Sequence, residues 1–90
     1  MGDAVAPSGK LDVSAASDLH AAFVAQPAGD VVLDLSGVAQ LGALCLQVCV
    51  AAAKTLQAQG HRLEVVNTPD SILAQMQSMG FTPETLAEGR

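Results

Sequence analysis

Apolar positions fall into short runs separated by small or polar residues, and their spacing changes along the chain. Residues 31–35, Val-Val-Leu-Asp-Leu, form a continuous branched run with one acid, Asp34, which predicts a strand covered on both faces. Ser36 and Gly37 break the run, and a long apolar stretch beginning near Gly42 continues to Gly60. That stretch predicts a helix closed by Gly60 at its C′ position. A helix that starts just past the carboxyl end of a strand brings free N–H groups and a positive dipole end to the edge of the sheet. Open α/β sheets bind their ligands there.

Upstream, residues 3–6 and 10–13 are two short runs about Pro7-Ser8-Gly9, which predicts an antiparallel edge hairpin. Ser14 is the expected N-cap of a first helix, with a stripe of Ala15, Leu19, Ala22 and Phe23 and with Asp18, His20 and Gln26 off it. Pro27, Ala28 and Gly29 end that helix. Downstream, residues 62–66 predict another strand. Thr68 as cap, Pro69 at the first helical position and Asp70 at the positive end predict a helix start. Its stripe is Ile72, Leu73, Met76 and Met79, and Gly80 stops it, with Phe81 expected to fold back on the last turn. Thr82-Pro83-Glu84 opens one more helical turn.

The fold class that follows is α/β, a mixed β-sheet of four to five strands with three to four helices packed on it, in the order ββαβαβα. The central strand, long helix and next strand imply a parallel pair joined by a right-handed crossover. Residues 1–90 make a single domain.

The central helix raises a question of its own. On a wheel of 100° per residue, Leu44, Cys45, Val48, Cys49, Ala52 and Leu56 share one broad side, the expected core face. Leu46, Val50 and Ala53 fall elsewhere, among Gln47, Lys54 and Gln57. Either a neighbouring helix of the same domain covers them, or they form a partner-docking surface beside the loop.

Charge and composition narrow the function. The formal net charge is −5, and the only basic residues are Lys10, Lys54, Arg62 and Arg90. No basic patch can be built from them, which argues against binding nucleic acid or anionic lipid. Trp and Tyr are absent, so stacking on bases has little to work with. The apolar part of the central helix is too short and too interrupted to insert into a membrane, and the first residues do not read as a signal peptide; the expected location is cytoplasmic. Cys45 and Cys49, four apart on one helix, match neither a zinc nor a redox spacing and read as buried free thiols.

Catalytic chemistry is hard to find. His20 and His61 read as isolated, solvated groups, and Asp34 as a cap on the backbone amides of its own loop. Gly37 and Gly42 are not followed by the Gly-Lys-Ser/Thr of a phosphate loop. The expectation is no enzyme, no cofactor and no metal.

The run from Val31 to Phe81, with Asp34-Leu35-Ser36-Gly37-Val38 as its most specific piece, resembles the STAS domain family of sulfate transporters and anti-sigma factor antagonists. Gly9-Lys10-Leu11-Asp12 is similar to a Gly-Arg-Leu-Asp that recurs near the first helix of that family. Members usually carry Asp-Ser-Ser-Gly-Leu or Asp-Thr-Ala-Gly-Leu at the start of the central helix. This chain has Gly42 in place of the acid, Ala43 and Leu44 in place of the hydroxyl residues, Cys45 for the glycine, and Leu46 at the usual leucine. In the family a partner kinase phosphorylates that hydroxyl, and the added charge abolishes docking. Neither Ala43 nor Leu44 can be modified so, and Ser36, the hydroxyl that remains nearby, reads as a turn former. The apolar loop is similar to that of a subgroup associated with bacterial chemotaxis and two-component proteins.

The resemblance implies a non-catalytic interaction module in bacterial signalling, an anti-sigma factor antagonist-like regulator. It would dock a histidine kinase, an anti-sigma factor or a chemotaxis protein through residues 36–46 and the start of the central helix. The expected contacts are Ser36, Gly37, Gly42, Ala43, Leu44, Leu46, Gln47 and Val50, and Leu46→Asp is expected to weaken the complex without disturbing the fold. Two alternatives stand beside it. One is the STAS subunit of a lipid-transport ATP-binding cassette system. The other is a sensor of a small ligand, a nucleotide or anion held by the free N–H groups of the helix start. Association into a homodimer is left open.

Overall fold

The computed structural model describes residues 4–27 and 29–89. Two short strands, β1 (Ala4–Val5) and β2 (Gly9–Leu11), precede a 3-10 turn (Val13–Ala15) and helix α1 (Ala16–Val24). Then come β3 (Val31–Asp34), β4 (Val38–Leu41) and the long α2 (Ala43–Ala58), followed by β5 (Leu63–Val66), α3 (Asp70–Ser78) and α4 (Pro83–Ala87).

The expected antiparallel hairpin is not formed. β1 pairs in parallel with β3, Val5 opposite Leu33, and β2 pairs in parallel with β4, Leu11 opposite Leu41. The described strands therefore make a β1-β3-β5 sheet and a separate β2-β4 pair, with parallel pairing in both in place of the mixed sheet expected. The reason lies in burial. Strands this short gain little by pairing only with each other, whereas pairing with β3 and β4 carries Val5 and Leu11 into the core. The chain thus makes the same move twice: strand, short turn, second strand, helix. The two turns are joined where the Gly9 amide donates to the Gly37 carbonyl at 2.9 Å. Of the first expected strand, Asp3 lies outside the described residues, as does Ala28 in the turn after α1.

The central crossover forms as expected, with β3 and β5 parallel from Val31 opposite Leu63 to Asp34 opposite Val66. Five strands and four α-helices in the described residues make an α/β fold. The order becomes ββαββαβαα, because β4 occupies what reads as loop and α4 extends the last helical turn.

Two caps differ from expectation. Asp12, not Ser14, caps the entry to the first helix: its Oδ1 accepts from the Ser14 amide at 3.1 Å and from the Ser14 hydroxyl at 2.6 Å. The N-cap of α3 is Pro69, with no side-chain cap, so Thr68 does not serve. Gly80 ends α3 at φ +86°, and the Phe81 amide reaches back to the Met76 carbonyl at 3.0 Å, as a helix stop of this kind does. Thr82 and Thr85 form a reciprocal capping box that starts α4.

That last helix flanks α2. It packs on both β5 and α2, with Leu86 in the core, while α1 packs along another flank of α2. Leu46, Val50 and Ala53 are buried, at 1, 7 and 0 % exposure, together with Cys45 and Cys49. The buried arc spans about 140° at 100° per residue, running from Cys45 through Ala53 to Val50. Leu44, assigned to the core face by the wheel alone, is 47 % exposed. A neighbouring element of the same domain covers the second apolar set.

Candidate docking site at the start of the central helix

β4 divides the expected contact loop in two. Ser36 and Gly37 lie in the turn before β4, and Gly42 to Gln47 follow it. A four-residue strand rising about 3.3 Å per residue separates the two groups by about 13 Å. At the near turn, the Ser36 amide donates to Asp34 Oδ1 at 2.9 Å, so Asp34 caps its own turn as its position suggested. That bond is the chief reason its carboxyl is held below the usual value. Ser36 and Gly37 are exposed there, away from the helix start.

Beyond β4, Gly42 is the N-cap of α2 in extended backbone, and no side chain caps this end. Its amide donates to the Leu11 carbonyl at 2.8 Å, and its carbonyl accepts the Leu46 amide at 3.0 Å. The first-turn amides of α2 have no carbonyl four residues back within the helix. One turn of helix then presents Ala43, Leu44 and Gln47 outward, while Cys45 and Leu46 turn in.

The segment after β2 completes the surface. The Cys45 thiol donates to the Asp12 carbonyl at 3.3 Å, which ties this segment to α2, and the 3-10 turn packs beside the helix start. On that turn stands Val13, 74 % exposed. The sequence pattern places Val13 at the end of a strand and so misses it; the available signal was Asp12, a cap residue directly before it. Asp12 brings a carboxylate near the positive end of α2, and its hydrogen bond from the Ser14 hydroxyl holds it below the usual value. Burial pushes the Cys45 thiol up, and the nearby Asp12 charge adds to the effect.

Of the expected contacts, Gly42, Ala43, Leu44 and Gln47 come together on this surface. Leu46 and Val50 are core residues and cannot touch a partner without unfolding the helix face. Ala43 and Leu44 supply the first turn with no hydroxyl. Among the described residues no group of three or more His, Cys, Asp or Glu is placed to hold a metal ion. His20 is exposed; His61 sits 3.9 Å from Asp30, at the opposite end of β3 from the Ser36 turn. None of the described helices is long and apolar enough to cross a membrane.

A family model described as Mlab, STAS domain matches residues 2–86. The chain belongs to the STAS domain family. Comparison with curated proteins finds no match. STAS domains are generally non-catalytic interaction modules and commonly bind protein partners. A surface of Leu44, Val13, small residues and uncharged Gln47 suits contact with another protein: an apolar centre with a polar edge, of the kind found in protein interfaces.

Proposed function

We propose that this STAS domain is a non-catalytic docking module of bacterial signalling, and that it meets its partner through Gly42, Ala43, Leu44 and Gln47 of the central helix start together with Val13. The partner class is a histidine kinase, an anti-sigma factor or a chemotaxis protein. The observation that carries the reading is Leu44, a large apolar side chain half exposed on the first turn of a helix whose other large apolar residues are buried or half-buried. Without a hydroxyl at residues 43 and 44, docking is set by the partner's state or abundance and not by phosphorylation at that turn.

A second reading is a STAS subunit seated on the ATP-binding component of a lipid-transport system: a permanently held subunit needs no release switch, while the absence of Asp-Thr-Ala at residues 42–44 counts against it.

The test is a pull-down from native lysate with the parent domain and Leu44→Asp as parallel baits. Recovery of a histidine kinase, anti-sigma factor or chemotaxis protein by the parent, and its loss with the variant, supports the signalling reading. A transporter ATPase lost in the same way moves the assignment to the second reading. Equal recovery by both baits refutes this surface.

A further inference from the structure

The junction that carries the docking turn is held from two sides. On one side the Gly42 amide donates to the Leu11 carbonyl at 2.8 Å, and the Cys45 thiol to the Asp12 carbonyl at 3.3 Å. Successive amides of a strand point to opposite sides, so the amide of Leu41, the last residue of β4, points away from β2. Among the described residues no strand lies there, since β4 pairs with β2 alone. Gln75 of α3 takes that place. Its Oε1 accepts the Leu41 amide at 2.7 Å, across 34 residues of sequence.

Water is a poor substitute for this bond. Leu41 is 5 % exposed and Gln75 is half-buried, where α3 packs on β4. Only the oxygen of a glutamine amide can accept an N–H, so the side chain is used in one orientation. The bond meets the chain one residue before Gly42, the N-cap of α2, and three before Leu44. No side chain caps this helix end, so the path of residues 41–44 is set from outside the helix.

We propose that Gln75 is the positioning residue of the docking turn. Through Leu41, and without itself meeting the partner, it holds Gly42, Ala43 and Leu44 in the shape that a partner binds. The proposal rests on the docking surface described above for what the turn is used for. A turn already held in its bound shape spares part of the ordering cost that association carries. In this way α3 bears on docking from outside the contact surface.

The experiment is amide hydrogen exchange by NMR on the whole chain. The parent is compared with Gln75→Leu, which keeps the bulk without the acceptor, and with Gln75→Glu, which keeps an acceptor. The amides to read are those of Gly42 and Leu46, whose own bonds run to Leu11 and Gly42 and not to Gln75. In Gln75→Leu both should exchange about fivefold faster, the worth of one modest hydrogen bond. Amides of residues 50–56 should be unchanged, and Gln75→Glu should stay close to the parent. Acceleration spread evenly over α2, no change at Gly42 and Leu46, or equal loss in Gln75→Glu each overturns the proposal. Should Gln75→Leu not fold, Gln75→Asn, shorter by one methylene, takes its place. Where the parent captures a partner that Leu44→Asp loses, that partner should leave Gln75→Leu about fivefold faster, and unchanged release overturns the positioning role. Failure to capture any partner counts against the docking surface, and the exchange result still decides for Gln75.

Discussion

The Gly42 amide lies 2.8 Å from the Leu11 carbonyl oxygen, and a side-chain carbon at Gly42 would meet that same oxygen at 2.8 Å. The hydrogen bond fixes the end of β4 against the end of β2, and the close approach leaves no room for any residue but glycine. The obstacle is backbone, so it cannot rotate away. Gly42→Ala should therefore destabilise the fold by about 1–3 kcal/mol, as overpacking against a fixed group does. A urea midpoint unchanged from the parent would show that the β2–β4 junction relaxes freely.

Leu44 and Leu46 are two residues apart and should behave in opposite ways. Leu46→Ala removes a fully buried side chain and should cost about 2–5 kcal/mol; Leu46→Asp should leave no cooperative thermal transition, because it buries an unpaired charge. Leu44→Asp places an acid on an exposed first turn at the positive helix end, so its stability should stay within about 0.5 kcal/mol of the parent. Thermal melts of the three variants check this, and a destabilised Leu44→Asp would contradict its use as a surface probe.

Asp12 and Asp34 share a cause of acid sensitivity. Hydrogen bonds from Ser14 and from the Ser36 amide favour their charged forms and lower both below 3.8. A carboxylate whose folded value is depressed contributes stability that is complete above the unfolded value and lost as pH falls through the folded one. Urea midpoints should hold down to about pH 5 and then decline below 4. Asp12→Asn with Asp34→Asn should flatten that acid limb, and a limb of unchanged steepness would assign it to other groups.

Both cysteines should resist alkylation in the folded chain. Burial raises Cys49 to about 12 against an ordinary 9.0, which at pH 8 leaves about a thousandfold less of the reactive thiolate. Cys45 is also buried and raised, with its thiol bound to the Asp12 carbonyl. Iodoacetamide at pH 8 should label neither until denaturant is added. Rapid labelling of Cys45 alone would mean that the Asp12 segment opens readily from α2.

What the sequence determined is the part that depends on neighbours along the chain. The branched run at Val31 to Asp34 makes a strand, the apolar stretch ending before Gly60 makes α2, and Gly80 with Phe81 makes a helix stop, because propensity, periodicity and positive φ are local properties. Asp34 as the cap of its own turn and the two cysteines as buried thiols were legible for the same reason. The family itself was legible in Asp34-Leu35-Ser36-Gly37-Val38. Tertiary structure alone decided the rest. Pairing sense at β1 and β2 depends on which strands lie alongside, and nothing in Pro7-Ser8-Gly9 says that β3 and β4 will. The turn of α2 about its axis, which buries Leu46 and Val50 and exposes Leu44, depends on the elements packed against it, α1, α4 and β5 among them, which come from distant parts of the chain. A helical wheel orders residues around an axis; only the neighbours decide which arc of it faces water.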